Sequence, residues 1–210
     1  MPQLHAVLTG DLIASTEAPP EAVEAAMARI RGTIVWITPA PRFTRFRGDG
    51  WQIHLAKPDL GLRVMLQIAA TLRAAAGLET RQSLGLGSAH GLEGPTLGAA
   101  GGTAFTASGR ALDSMAEGRR LVLSGAPTDP LHRRLITMID EQIAGWSTEQ
   151  AEAVAHLLDP DAPQTRTAIA AQLGISRQAL AARLEAAGFR QLSGACADFG
   201  NTFTREPPHA

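Results

Sequence analysis

Residues 42–56 read Arg42-Phe43-Thr44-Arg45-Phe46-Arg47-Gly48-Asp49-Gly50-Trp51-Gln52-Ile53-His54-Leu55-Ala56. Arginine alternates with Phe or Thr before the glycines, and apolar alternates with polar after them. Period-two alternation on both sides of a Gly-Asp-Gly turn is the sequence signature of a β-hairpin. The turn places Asp49 at the hairpin tip. A second carboxylate, Asp11, follows the apolar run Leu4–Leu8, which reads as a buried strand.

Working outward, Glu21–Ile37 is alanine-rich, carries Val23, Met27, Ile30 and Ile34 near a 3.6 period, and predicts a helix. Pro20 and the acids Glu21 and Glu24 suit its start, and Pro39 and Pro41 end it. After the hairpin, residues 59–76 predict a second helix with Leu62, Met65, Leu66, Ala69 and Leu72 on one face, stopped by Gly77. Thr80–Ser88 then reads as a strand. The order β-α-β-β-α-β is that of the split unit of ferredoxin-like folds. A glycine-rich loop (90–102), a helix (103–116) and a strand (119–124) complete an expected first domain, 1–126. Pro127-Thr128-Asp129-Pro130 marks the boundary to an all-α domain, 127–192, and residues 193–210 read as a polar, frayed tail. The expected fold class is therefore α+β, a βαββαβ domain followed by helices.

The chain has 210 residues, 45% of them hydrophobic, and a formal net charge of −1. That is enough apolar material for a sizeable core, and no global field draws the protein to nucleic acid or membrane. The single cysteine, Cys196, has no partner for an internal disulfide. No apolar run approaches a membrane span and no leader is visible, so a cytoplasmic protein with no membrane partner is expected. His90, the other histidines and Gly98–Gly102 form no metal-ligand or phosphate-loop spacing.

In this order of elements the first strand lies beside the second arm of the hairpin, so the end of that strand and the hairpin tip share one edge of the sheet. Asp11 and Asp49, 38 positions apart, are expected to meet there. Two carboxylates with the Leu12 or Ile13 carbonyl between them suit Mg²⁺ or Mn²⁺, which also take phosphate oxygens. Asp-Gly is equally an ordinary turn dipeptide, and Asp11 alone could order a loop.

Both motifs resemble the catalytic core of class III nucleotidyl cyclases. There an Asp follows the first strand in a context like Asp11-Leu12-Ile13-Ala14-Ser15-Thr16, and a second sits in a hairpin like Gly48-Asp49-Gly50. The resemblance implies a nucleotide held by Asp11, Ser15, Thr16, Arg45, Thr106 and Arg110, with metal on Asp11, Leu12 and Asp49. In an active enzyme the catalytic set would be Asp11, Asp49 and Arg110. The chain departs from the cyclase pattern in having Thr106 where an asparagine is usual and Arg45 where a base-reading lysine is usual. In layout the chain is closer to the SatD-like family, which opens with a strand and a Gly10-Asp11-Leu12-Ile13-x-Ser15 motif, continues with a Gly-Asp hairpin and ends in a helix-turn-helix. That resemblance implies an architecture and carries no activity.

Thr167–Leu180 reads as a helix-turn-helix from its residues. Ala170 is small at the crossing, Gly174 turns the chain, and Ser176 caps the second helix. Such a helix presents its N-terminal side chains to base edges in the major groove. Arg177, Gln178 and Arg183 are the candidate base readers, Ser176 stands at the helix start, and Arg166 and Arg190 are candidates for phosphates. A three-helix protein-binding module would have the same shape. The expectation is a nucleotide- and metal-responsive regulator that binds double-stranded DNA as a homodimer. The alternatives are an active nucleotidyl cyclase or nucleotidyl-transfer enzyme, and an interaction module.

Overall fold

The computed structural model describes residues 3–37, 39–46, 48–94, 96–159 and 165–204. The hairpin consists of β2 (Arg42–Phe46) and β3 (Gly50–Leu55), antiparallel, with Phe46 opposite Gly50. Gly48 turns the chain at φ 84°, a left-handed value that favours glycine. Arg47 lies outside the described residues. β1 (His5–Leu12) sits between β3 and β4 (Thr80–Gly87) and is antiparallel to both. β5 (Leu121–Ser124) adds to β4 in parallel, giving the order β2-β3-β1-β4-β5.

Strand β1 runs four residues past the expected end at Leu8. Pairing on both sides continues through Asp11, so that acid is a rung of the ladder and not part of the following loop. Gly10 permits this, because a Cβ there would overlap the Trp51 ring. The helix α1 (Pro20–Gly32) is shorter than the predicted 21–37, and a turn follows it.

The two faces of the sheet differ in chemistry. Ala6, Leu8 and Leu12 of β1 join Ile53, Leu55, Leu84 and Leu86 in the core beneath α1 and α2 (Gly61–Ala74). The opposite face carries Thr9, Asp11, Gln52, Arg81 and Ser83, which are neighbours in register. Helix α3 (Thr103–Asp113) covers part of this polar face, and Ser108 Oγ lies 2.8 Å from Thr9 Oγ1. The glycines of β4 admit α3: a Cβ on Gly85 would meet the Ala104 carbonyl and the Ser108 amide.

The second half of the chain is helical: α4 (Pro130–Ala144), α5 (Thr148–Leu158), α6 (Arg166–Gln172), α7 (Arg177–Ala186) and α8 (Phe189–Thr204). Asp129 and Ser147 form capping boxes, and Thr165 and Ser176 each accept a first-turn N–H. Helix α5 packs along α2, and most of the buried apolar residues form one cluster from Ala6 to Phe199, with Val7, Leu97, Ala104 and Leu112 buried outside it. The position 126–127 marks a change from sheet to helices, and the core continues across it.

The segment from Ser193 is not frayed through its described part. Helix α8 runs to Thr204 because Leu192, Ala195, Cys196, Phe199 and Phe203 make an apolar stripe at helical spacing. Gly194, Gly200 and Asn201 dilute that stripe in the sequence. Burial there pushes the Cys196 thiol up to about 12. No helix among the described residues is long and apolar enough to cross a membrane.

Candidate functional site

Asp11 and Asp49 meet at one corner of the sheet. Asp11 stands in register with Gly50 on one side and Arg81 on the other. The N–H of Leu12 donates to the Asp49 carbonyl at 3.3 Å. The chain then turns sharply at Ala14, whose φ of 55° is left-handed and unfavourable for alanine. That turn brings Ser15 back, and its hydroxyl donates to the Asp49 carboxylate at 2.5 Å.

The guanidinium of Arg81 clamps Asp11 with two bonds, Nε at 2.9 Å and Nη2 at 2.5 Å. Its pKa is raised, first by this hydrogen bonding and also by the negative charges of Asp11 and Asp49. The corner opens into a cavity of about 440 Å³ lined by both aspartates, Arg81, Gly118, Arg119 and Arg120. That volume is within the range of small-molecule sites. The segment 116–120 is held in place from below. The buried Asp140 of α4 accepts the backbone N–H of Arg120 and of Leu121, and Arg119 Nε donates to it at 2.9 Å. Burial pushes the Asp140 carboxyl upward, against the pull of those donors. Arg120 Nε donates to Glu79 at 2.6 Å, and Glu79 also pairs with Arg73.

Two carboxylates at one corner are the donor type that hard cations take, so Asp11, Asp49 and the Leu12 carbonyl are the residues that could hold Mg²⁺ or Mn²⁺. As the chain stands, Arg81 occupies both oxygens of Asp11. Among the described residues, no group of three or more His, Cys, Asp or Glu side chains is placed to hold a metal.

The remaining candidates of the nucleotide set lie off this cavity's lining. Arg45 turns to Glu24 of α1 at 2.6 Å and to the Gly48 carbonyl. Thr16 is exposed beside Ser15. Thr106 donates to the Gly102 carbonyl, and Arg110 is exposed on α3. Sequence reasoning missed Arg81, Arg119 and Arg120. Arg81 had a readable signal: it lies one strand away from Asp11 once β1 and β4 are paired antiparallel. The other two depend on how α4 docks, which leaves no local pattern.

At the other end, Arg177 and Gln178 are exposed on the first turn of α7, and Arg166 and Arg190 are exposed on α6 and α8. Ser176 Oγ accepts the Ala179 N–H at 3.1 Å, so it serves the helix cap. Arg183 turns inward to Glu152 of α5 at 3.2 Å and ties α7 to the core. The far end of α7 is tied as well, because Gln142 Nε2 and Trp146 Nε1 both donate to the Ala187 carbonyl at 3.0 Å.

No protein-family model matches this chain. No curated protein matches it either.

Proposed function

We propose that this chain is a nucleotide- and metal-responsive DNA-binding regulator. The observation that carries the reading is the corner itself, where Asp11, Asp49 and Arg81 open onto one cavity of about 440 Å³. The antiparallel order β2-β3-β1-β4 is the order a ferredoxin-like βαββαβ unit produces, and it supports reading the corner as the ligand site of a cyclase-like domain. A Mg²⁺ or Mn²⁺ on Asp11, Asp49 and the Leu12 carbonyl would supply positive charge for phosphate oxygens. Arg81 supplies a planar fork suited to the same oxygens.

The α6–α7 pair supports the DNA half of the proposal. The helices are short, Gly174 turns between them at φ 65°, and Ile169, Ala170, Leu180 and Leu184 are buried. That leaves Arg177 and Gln178 facing out from the helix start, as a helix-turn-helix reader requires. A single reader of this size binds weakly, which supports two copies acting as a homodimer on a paired site. No membrane partner enters the proposal.

The test is a melting scan with each nucleoside triphosphate and Mn²⁺, in the wild type and in Asp11→Asn and Asp49→Asn. A rise in Tm confined to the wild type is expected. No rise with any nucleotide overturns the ligand reading. A new chromatographic product from the nucleotide would make the protein an enzyme of the nucleotidyl-transfer class. Selection from random duplexes tests the DNA half, and recovery of no preferred sequence overturns it.

A further inference from the structure

Three arginines line the corner cavity, and their partners set them apart. Arg119 is fixed to the buried Asp140 and reaches towards Glu141 at 4.0 Å. Arg120 is fixed to Glu79. Only Arg81, of the three, is held by an acid that the ligand reading itself requires, Asp11. It also feels the charge of Asp49. With Arg119 and Arg120 committed to other acids, removing Arg81 would leave two carboxylates facing one cavity without a cation of their own, and their repulsion would oppose the fold of the corner.

The fork is releasable. The Arg81 side chain is 40% exposed and that of Asp11 26%. Solvent screens such a pair, so it yields to a competing partner. A cation alone must displace Arg81 and leave it unpaired. A phosphate alone must draw Arg81 away and leave Asp11 and Asp49 uncompensated. A ligand bringing both lets every charge keep a partner, because Arg81 exchanges a carboxylate fork for a phosphate fork of the same geometry.

We propose that Arg81 is a resident counter-ion of the corner, released by Asp11 only to a ligand that carries a divalent cation and a phosphate together. Arg81 is thus a specificity residue: it makes the site respond to the metal–phosphate complex and discriminate against either component. The proposal rests on the nucleotide reading of the corner.

The experiment measures Mn²⁺ binding to the full chain by electron paramagnetic resonance, with and without inorganic triphosphate. In the wild type, Mn²⁺ alone binds weakly and triphosphate tightens it. In Arg81→Gln, Mn²⁺ alone binds about five- to tenfold tighter, and triphosphate adds little. Arg81→Lys, which keeps the charge without the fork and guards against loss of fold in the first variant, falls between. If Mn²⁺ binds in an Asp11-dependent way but Arg81→Gln and Arg81→Lys both match the wild type, the exchange is wrong and the nucleotide reading survives. If no variant binds Mn²⁺ under either condition, the corner reading falls with it.

Discussion

The carboxylate of Asp140 accepts the N–H of Leu121 at 3.1 Å, and this bond joins helix α4 to the first residue of β5. The same carboxylate takes the Arg120 N–H and the Arg119 side chain. One buried acid therefore holds the floor of the corner cavity from the helical half of the chain.

Asp140→Ala should lower unfolding free energy by about 2–4 kcal/mol, because it leaves two backbone donors without their acceptor and takes from Arg119 its nearer acid. Asp140→Asn, which keeps one acceptor oxygen, should recover part of that loss. Urea denaturation of the two variants measures both effects. Equal stability in Asp140→Ala and the wild type would show that the acid holds nothing in place.

Gly85 and Gly109 should respond oppositely to alanine. At Gly85 the new methyl meets backbone atoms of α3, which cannot swing aside. A loss of about 1–3 kcal/mol is expected, with α3 displaced from the sheet. At Gly109, inside α3, the space around an added methyl is open to 4 Å, so alanine should stabilise the helix by about 0.5–1 kcal/mol. Thermal melts of the pair give the signs directly.

Stability should fall in mild acid through His54. Its ring is buried, with Nε2 3.0 Å from His5 Nδ1, and burial, His5 and Arg42 together hold its pKa down at about 4. The unfolded chain takes up this proton near 6.5 and the folded chain only near 4. Stability from neutral His54 is complete above about 6.5 and is lost as pH falls towards 4, by roughly 3 kcal/mol at most. A His54→Gln variant should show a flatter Tm against pH between these values.

Arg177 and Arg183 should separate binding from folding. Arg177→Ala or Gln178→Ala should weaken a selected DNA site by about 1–3 kcal/mol with Tm unchanged. Arg183→Ala should lower Tm slightly, through loss of the half-exposed pair with Glu152, and leave sequence preference intact. Fluorescence anisotropy on the selected duplex distinguishes the two. The reverse result would mean that Arg183 leaves Glu152 to read DNA.

Alternation around Gly48-Asp49-Gly50 is enough to find the hairpin, and the order of elements is enough to bring Asp11 beside it, because both follow from strand periodicity and chain connectivity. The partners of these acids are less legible. Arg81 faces Asp11 only once the β1–β4 register is known, and an error of one residue would send it to the other face of the sheet. Arg45 looks free in a strand and is drawn to Glu24, a residue on a helix whose docking angle no local pattern states. Helix α8 is hidden for a compositional reason, since glycine and asparagine between its phenylalanines resemble a loop. Asp140 sits in a helix among other charges, and its burial depends on the whole assembly.

The carbonyl of Ala187 receives two donors, one from α4 and one from Trp146 just beyond it, so the helix bearing Arg177 and Gln178 is anchored at the pole opposite those residues. Leu180 and Leu184 are buried along its inner side and Arg183 pairs with Glu152, so the helix is seated along its length as well. Helix α7 is about 15 Å long, so it acts as a strut that presents Arg177 and Gln178 at a set distance from α4 and α5. A shift of α4 or α5 would therefore carry Arg177 and Gln178 with it.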